Sequence, residues 1–137
     1  ARMLASFPKT TETDRTYNWI TENALSGRDW QTNSVFAKFN FKVERGSETD
    51  YASAWKDLMA SSLELFDGSF GLNAVAYGNR YSTHMVYIGA DSMSELSEGL
   101  AAVRSTDTYK EFVEDTSDIV SGVHSQMVQF VKNFDGT

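Results

Sequence analysis

An α+β domain, with an antiparallel sheet covered on one face by crossover helices, is the fold class this sequence predicts. Three features predict it. Val35–Val43 alternates apolar Val35, Ala37, Phe39, Phe41 and Val43 with Lys38, Asn40 and Lys42, the period-two pattern of a strand with two unlike faces. Two more alternating runs, Phe70–Tyr77 and Thr83–Gly89, flank Gly78-Asn-Arg-Tyr81, whose Gly and Asn tolerate the positive φ of a hairpin turn. The segments between the strands space their apolar residues at helical intervals and open on capping residues.

Taken in order, residues 1–33 stand apart as an N-terminal extension. Arg2–Phe7 reads as a short strand closed by Pro8, the only proline, and a helix is expected from about Asp14 to Leu25, ending at Gly27. The module proper covers 34–137. After the strand at Val35–Val43, Ser47-x-x-Asp50 resembles a capping box, and a helix over about 48–66 places Tyr51, Trp55 (or Ala54), Leu58, Ser62 and Leu65 on one stripe. Asp67-Gly-Ser ends it. The hairpin follows, and then Ser92-Met-Ser-Glu95, a full capping box, opens a helix that buries Met93, Leu96, Leu100 and Val103. A pause at Ser105-Thr-Asp107 precedes a second box, Thr108-Tyr-Lys-Glu111, and a short helix carrying Phe112 and Val113. A last strand is expected over roughly Ser125–Phe134. The order β-α-β-β-α-β is the ferredoxin-like arrangement, with strands in spatial order 4-1-3-2.

Composition narrows the function. The 137 residues suit one domain, and 41% hydrophobic residues supply an ordinary core. A formal charge of −7 argues against nucleic acid and against anionic membrane surfaces as partners. With no cysteine, disulfides, thiolate metal sites and cysteine nucleophiles are excluded. No apolar run approaches the length of a membrane-spanning helix. A start at Ala1 rather than Met fits an exported protein whose leader has been removed, or a fragment.

With Phe39, Phe41, Leu72, Ala74, Val86, Ile88, Val128 and Phe130 under the helices, the opposite face carries Phe36, Lys38, Asn40, Lys42, Asn73, Val75, Tyr77, Met85, Tyr87, Met127, Gln129 and Val131. Covering five or six such apolar side chains is worth roughly 1.5–3 kcal/mol each, so this face is expected to be shielded. The cover is either a second copy related by a two-fold axis, giving a homodimer, or the N-terminal segment with Phe7, Trp19 and Trp30.

Residues 34–134 resemble the dimeric α+β barrel superfamily, which includes the antibiotic-biosynthesis-type monooxygenases. The likeness lies in the strand Val35–Val43, in Asp50-Tyr-x-x-x-Trp55, in His84-Met-Val-Tyr-Ile88 followed by Asp91-Ser-Met-Ser-Glu-Leu96, and in Thr108-Tyr-Lys-Glu-Phe112. It implies two sheets facing each other across a dimer, and a pocket between sheet and helices. It also implies a range of roles, from cofactor-free oxygenases to proteins without known activity. Residues 1–33 depart from it. Thr13-Asp-Arg-Thr-Tyr17 echoes Thr106-Asp-Thr-Tyr109, which leaves both a truncated repeat and chance open.

The candidate ligand-binding residues are Asn40, Asn73, Tyr77, His84, Tyr87 and Gln129. All but His84 are expected on one sheet face, where amides and phenols need partners, across a dimer interface or from a ligand. Trp55 matches in type a tryptophan that some oxygenases of the superfamily use, yet it falls on the core stripe. His84 and His124 are expected at opposite ends of the sheet, about 15–20 Å apart at about 3.3 Å per residue, too far to share a metal. No metal or cofactor site is expected, and no nucleotide loop, hydrolase triad or zincin motif is present. Two functions follow: a homodimeric binding or structural module holding a small apolar ligand, or a cofactor-independent oxygenase using Asn40, His84 and Tyr87. The first is preferred because no general base in a forced environment can be read from the residues.

Overall fold

The structure is a computed structural model that describes residues 32–76 and 81–129. Its elements run β1 (Val35–Val43), α1 (Glu48–Ser62), β2 (Ser69–Ala74), β3 (His84–Ala90), α2 (Met93–Arg104), α3 (Asp107–Thr116) and β4 (Val120–Gln129). The four strands form one sheet in the order β2-β3-β1-β4, antiparallel at every pairing, as the ferredoxin-like reading requires. The expected strand and helix within residues 1–31, the Gly78–Arg80 turn, Tyr77, Phe130 and Val131 lie outside the described residues.

The alternation of β1 becomes two environments. Val35, Ala37, Phe41 and Val43 join Phe70, Leu72 and Val86 in one buried core, and Phe39 packs against it. Helix α1 adds Tyr51, Trp55, Leu58 and Met59 to that core, α2 adds Leu96 and Val103, and α3 brings Phe112 against it. The helices therefore share one face of the sheet, called the helix face below.

Helix ends differ in detail from the sequence reading, each for a local reason. Ser47 makes no side-chain cap. Instead the Glu48 carboxylate accepts from the Gly46 N–H at 2.8 Å, and hydrogen bonds from its own backbone N–H and from Gly46 hold the carboxyl below its usual range. Helix α1 stops at Ser62 rather than near residue 66, leaving Leu65 46% exposed. Both Ser61 and Ser62 turn their hydroxyls back to the Leu58 carbonyl, at 2.8 and 2.6 Å. Such back-bonding competes with the helical ladder. Ser92 caps α2 as expected, accepting from the Glu95 N–H at 3.2 Å, although Met93 stays exposed rather than joining the core. The cap of α3 is Thr106, not Thr108; its hydroxyl oxygen accepts from the Tyr109 N–H at 3.1 Å.

β4 departs most. It begins at Val120, ahead of the expected Ser125, and its register on β1 shifts between Asn40 and Lys42. Gly122 sits there at φ +64°, the backbone that lets an extra residue bulge from a ladder. Beyond the bulge Met127 opposes Ala37 and Gln129 opposes Val35, on the helix face, while Val128 opposes Phe36 on the other face. The expected facing of Met127, Val128 and Gln129 is thus inverted. A slip of one residue exchanges the two faces of a strand, and both faces of this one carry apolar residues, so pattern could not choose between them.

Gly99 in α2 is buried, and a methyl group there would fall on the ring of Phe66, itself buried. Replacing a helical glycine by alanine ordinarily gains about 0.5–1 kcal/mol. Overpacking a filled core costs about 1–3 kcal/mol. Gly99→Ala is therefore expected to lower unfolding free energy by about 1–2 kcal/mol in urea titrations, opposite to the helix-propensity trend.

Candidate functional site

Between the sheet and the helices lies a cavity of about 350 Å³. Each neighbouring element contributes side chains, because each presents an apolar stripe inward. Phe39 comes from β1, Val86 and Ile88 from β3, Trp55 and Leu58 from α1, Leu100 and Val103 from α2, Phe112 from α3, and Val120 and Val123 from β4. Aromatic packing frames one side. Phe112 meets Tyr51 edge-on at 5.7 Å and Trp55 at 6.2 Å, with Tyr109 at 6.4 Å. Polar atoms are few. The Thr116 hydroxyl donates to the Phe112 carbonyl at 2.7 Å, and Ser117 donates to Glu114 at 3.0 Å, so both donors are occupied. Trp55 is the exception: its indole N–H is buried and has no hydrogen-bond partner. Leaving such a donor unmet costs about 1–3 kcal/mol.

The sequence candidates divide between two faces. Asn40 and Asn73 flank Met85 across the face away from the helices, with His124 next in the same row. The adjacent row holds Gly71, Tyr87, Lys38 and Gln126. The Tyr87 ring lies over Gly71, where a Cβ would be 2.5 Å from it, and meets Phe36 edge-on at 6.3 Å. Asn73 is 1% exposed, and neither its Oδ1 nor its Nδ2 has a partner; Asn40 Oδ1 is likewise unmet. Partial burial lowers the Lys38 ammonium below the usual lysine value. Gln129 does not join this group, since it opposes Val35 and is exposed at the end of β4.

His84 lies on the helix face but outside the cavity. It stacks on Phe41 at 6.1 Å and tilts against Tyr51 at 6.3 Å. Thr83 Oγ1 accepts from the Val43 N–H at 2.9 Å, and its own hydrogen is available to His84 Nδ1, also 2.9 Å away. The expected reason for separating His84 from His124 needs correction. β3 and β4 both run antiparallel to β1, hence parallel to each other, and their starts lie at the same end of the sheet. His84 opposes Phe41 and His124 opposes its neighbour Asn40. The two rings are divided by the sheet itself, on opposite faces, rather than by its length.

Trp55 is core, as its stripe predicts, and it also lines the cavity, whereas Arg104 carries no signal in the sequence beyond its place on α2. A cavity is a shortfall of side-chain volume among several elements, which no single stripe records.

Tyr51, 5% exposed beneath Phe41 and Phe112, has its phenol pushed well above the ordinary tyrosine value by burial, with Tyr109 adding to the effect. Above about pH 10 the unfolded chain releases this proton while the folded chain keeps it, so stability falls as pH rises. Tyr51→Phe is expected to flatten that loss between about pH 10 and 12, measured as urea midpoints against pH.

No protein-family model matches this sequence, and no curated protein shows significant similarity to it. Solved structures do match. An uncharacterised NIPSNAP-like domain protein from Burkholderia xenovorans superposes with a TM-score of 0.61 at 8% identity, over 77% of this chain and 91% of its own. A proposed antibiotic-biosynthesis monooxygenase from Nitrosomonas europaea gives 0.55 at 13% identity, over 72% and 92%. A proposed monooxygenase from Lactobacillus acidophilus NCFM gives 0.55 at 18% identity, over 71% of this chain and 44% of its own, so this chain spans less than half that protein's length. At such identities the likeness is one of fold. The chain shares the ferredoxin-like fold of these antibiotic-biosynthesis-monooxygenase-like and NIPSNAP-like structures.

Proposed function

We propose that this protein is a homodimeric binding module that holds a small apolar ligand in the cavity between sheet and helices. The observation that carries the reading is the cavity itself: about 350 Å³, walled by aliphatic and aromatic side chains. Ligand sites are commonly of this size, mostly apolar, with a few placed polar groups. The lining contains no histidine, lysine or carboxylate, so it offers no ordinary side-chain base for proton abstraction. That supports binding over an oxygenase reaction.

The homodimer draws support from the other face. Phe36 and Tyr87 are half-buried there and Val128 is 44% exposed, beside the amides of Asn40 and Asn73 with unmet hydrogen bonds. A second copy turned about a two-fold axis covers the exposed apolar groups. In this reading Asn40 and Tyr87 belong to the interface rather than to the ligand cavity, with Asn73 buried beneath it. Lys38 and Lys42 sit where their stems can pack while the ammonium groups reach water.

Two measurements test these points separately. Native protein extracted with organic solvent is expected to release an apolar compound visible by mass spectrometry. Val86→Trp, which fills the cavity, should release several-fold less. Equal release from both proteins would remove the cavity as the site. Sedimentation at low micromolar concentration is expected to show a dimer; a monomer at that concentration would overturn the sheet-face interface.

A further inference from the structure

Arg104 gives the cavity a polarity that apolar walls alone do not. We infer that its ligand is an apolar monocarboxylate, an alkyl or aryl body seated among the hydrophobic side chains with its carboxylate held by Arg104. The inference rests on the preceding reading that the cavity holds an apolar ligand.

Three observations carry it. First, the chain has 19 Asp and Glu residues against 12 Lys and Arg, yet Arg104 alone among the residues lining the cavity carries a charge. A carboxylate entering here meets no like charge in the wall, and a cation would find no partner. Second, Arg104 is exposed in the last turn of α2 and forms no ion pair among the described residues. The nearby Asp107 is already engaged, its carboxylate 2.7 Å from Lys110 Nζ across one turn of α3. The guanidinium is thus an uncommitted fork at the edge of an apolar space. Arginine suits that position, because its stem packs on hydrophobic surface while its planar head accepts a carboxylate through two parallel hydrogen bonds. Third, the hydroxyls of Thr116 and Ser117 in the same wall are spent on backbone carbonyls. The Arg104 guanidinium is therefore the charged donor group that the wall offers to an anionic oxygen acceptor.

The test compares ligands of one length and three charges. Decanoate, decanol and decylammonium would be titrated calorimetrically into the full-length protein after its copurifying compounds are extracted, and into Arg104→Gln and Arg104→Glu. Decanoate is expected to bind about five- to tenfold more tightly than decanol, consistent with a charged hydrogen bond at a partly exposed site, and decylammonium most weakly. The advantage should shrink as salt is raised. Arg104→Gln should bring decanoate down to the level of decanol without changing decanol binding, and Arg104→Glu should favour decylammonium. Since Arg104 is exposed, these variants are expected to keep the wild-type circular dichroism and melting temperature. Equal binding of decanoate and decanol to wild type overturns the monocarboxylate while leaving the apolar cavity standing. An anion preference that survives Arg104→Gln removes Arg104 from the role. Failure of all three compounds to bind wild type overturns the cavity reading and this inference together.

Discussion

β1 is hydrogen-bonded along both edges, to β3 on one side and β4 on the other, and the placing of the other elements depends on that central position. A strand held on both sides cannot rotate, so the alternation of its side chains is imposed on both neighbours. Phe39 and Phe41 fix where Val86 and His84 stand on the helix face. Lys38 and Asn40 fix Tyr87 and Met85 on the other. The helices then have one place to bury their stripes, and the cavity forms where Phe39, Val86 and the three helices fail to fill the space between them.

Polar groups on the two faces are treated differently from those in the turns and caps. Ser61, Ser62, Ser105, Thr106, Thr116 and Ser117 all donate to backbone carbonyls three or four residues earlier in the chain. Trp55, Asn40 and Asn73 instead keep buried atoms without partners. Folded proteins keep few such atoms, since each costs about 1–3 kcal/mol against a total stability of about 5–15 kcal/mol. Trp55 lies on the helix face of the sheet, and Asn40 and Asn73 lie on the opposite one.

The parts of the fold legible in the sequence were those written in a strong period. Val35–Val43 could be nothing but a two-faced strand, and Tyr51, Trp55 and Leu58 could share only a helical stripe. Where a period was weak, geometry decided. β4 carries apolar residues at both parities, and its register follows from the bulge at Gly122, a backbone feature that no hydropathy pattern encodes. Thr106 and Thr108 both offer a capping hydroxyl, and the choice of Thr106 rests on how the chain leaves Arg104. For the site, Asn40, Asn73 and Tyr87 were recognisable as polar groups on a partly apolar face. Their separation from Gln129 needed the pairing of strands. Arg104 could not be distinguished from any other helix-terminal arginine until the cavity beside it had been outlined.

The pairing order also bears on how the chain reaches this state. Only β2 and β3 are close neighbours in sequence, whereas Val35 finds its partners at Ala90 and Gln129. Closing such long loops carries an entropic cost before any contact repays it, so ferredoxin-like topologies fold more slowly than hairpin-built sheets of equal size. During synthesis β1 precedes both strands that pair with it, and its second edge stays bare until β4 has left the ribosome. For that interval a strand carrying Phe36, Phe39 and Phe41 presents an adhesive edge. Lys38 and Lys42, which contribute little to the finished core, are then the two charges that keep nascent copies of this strand apart.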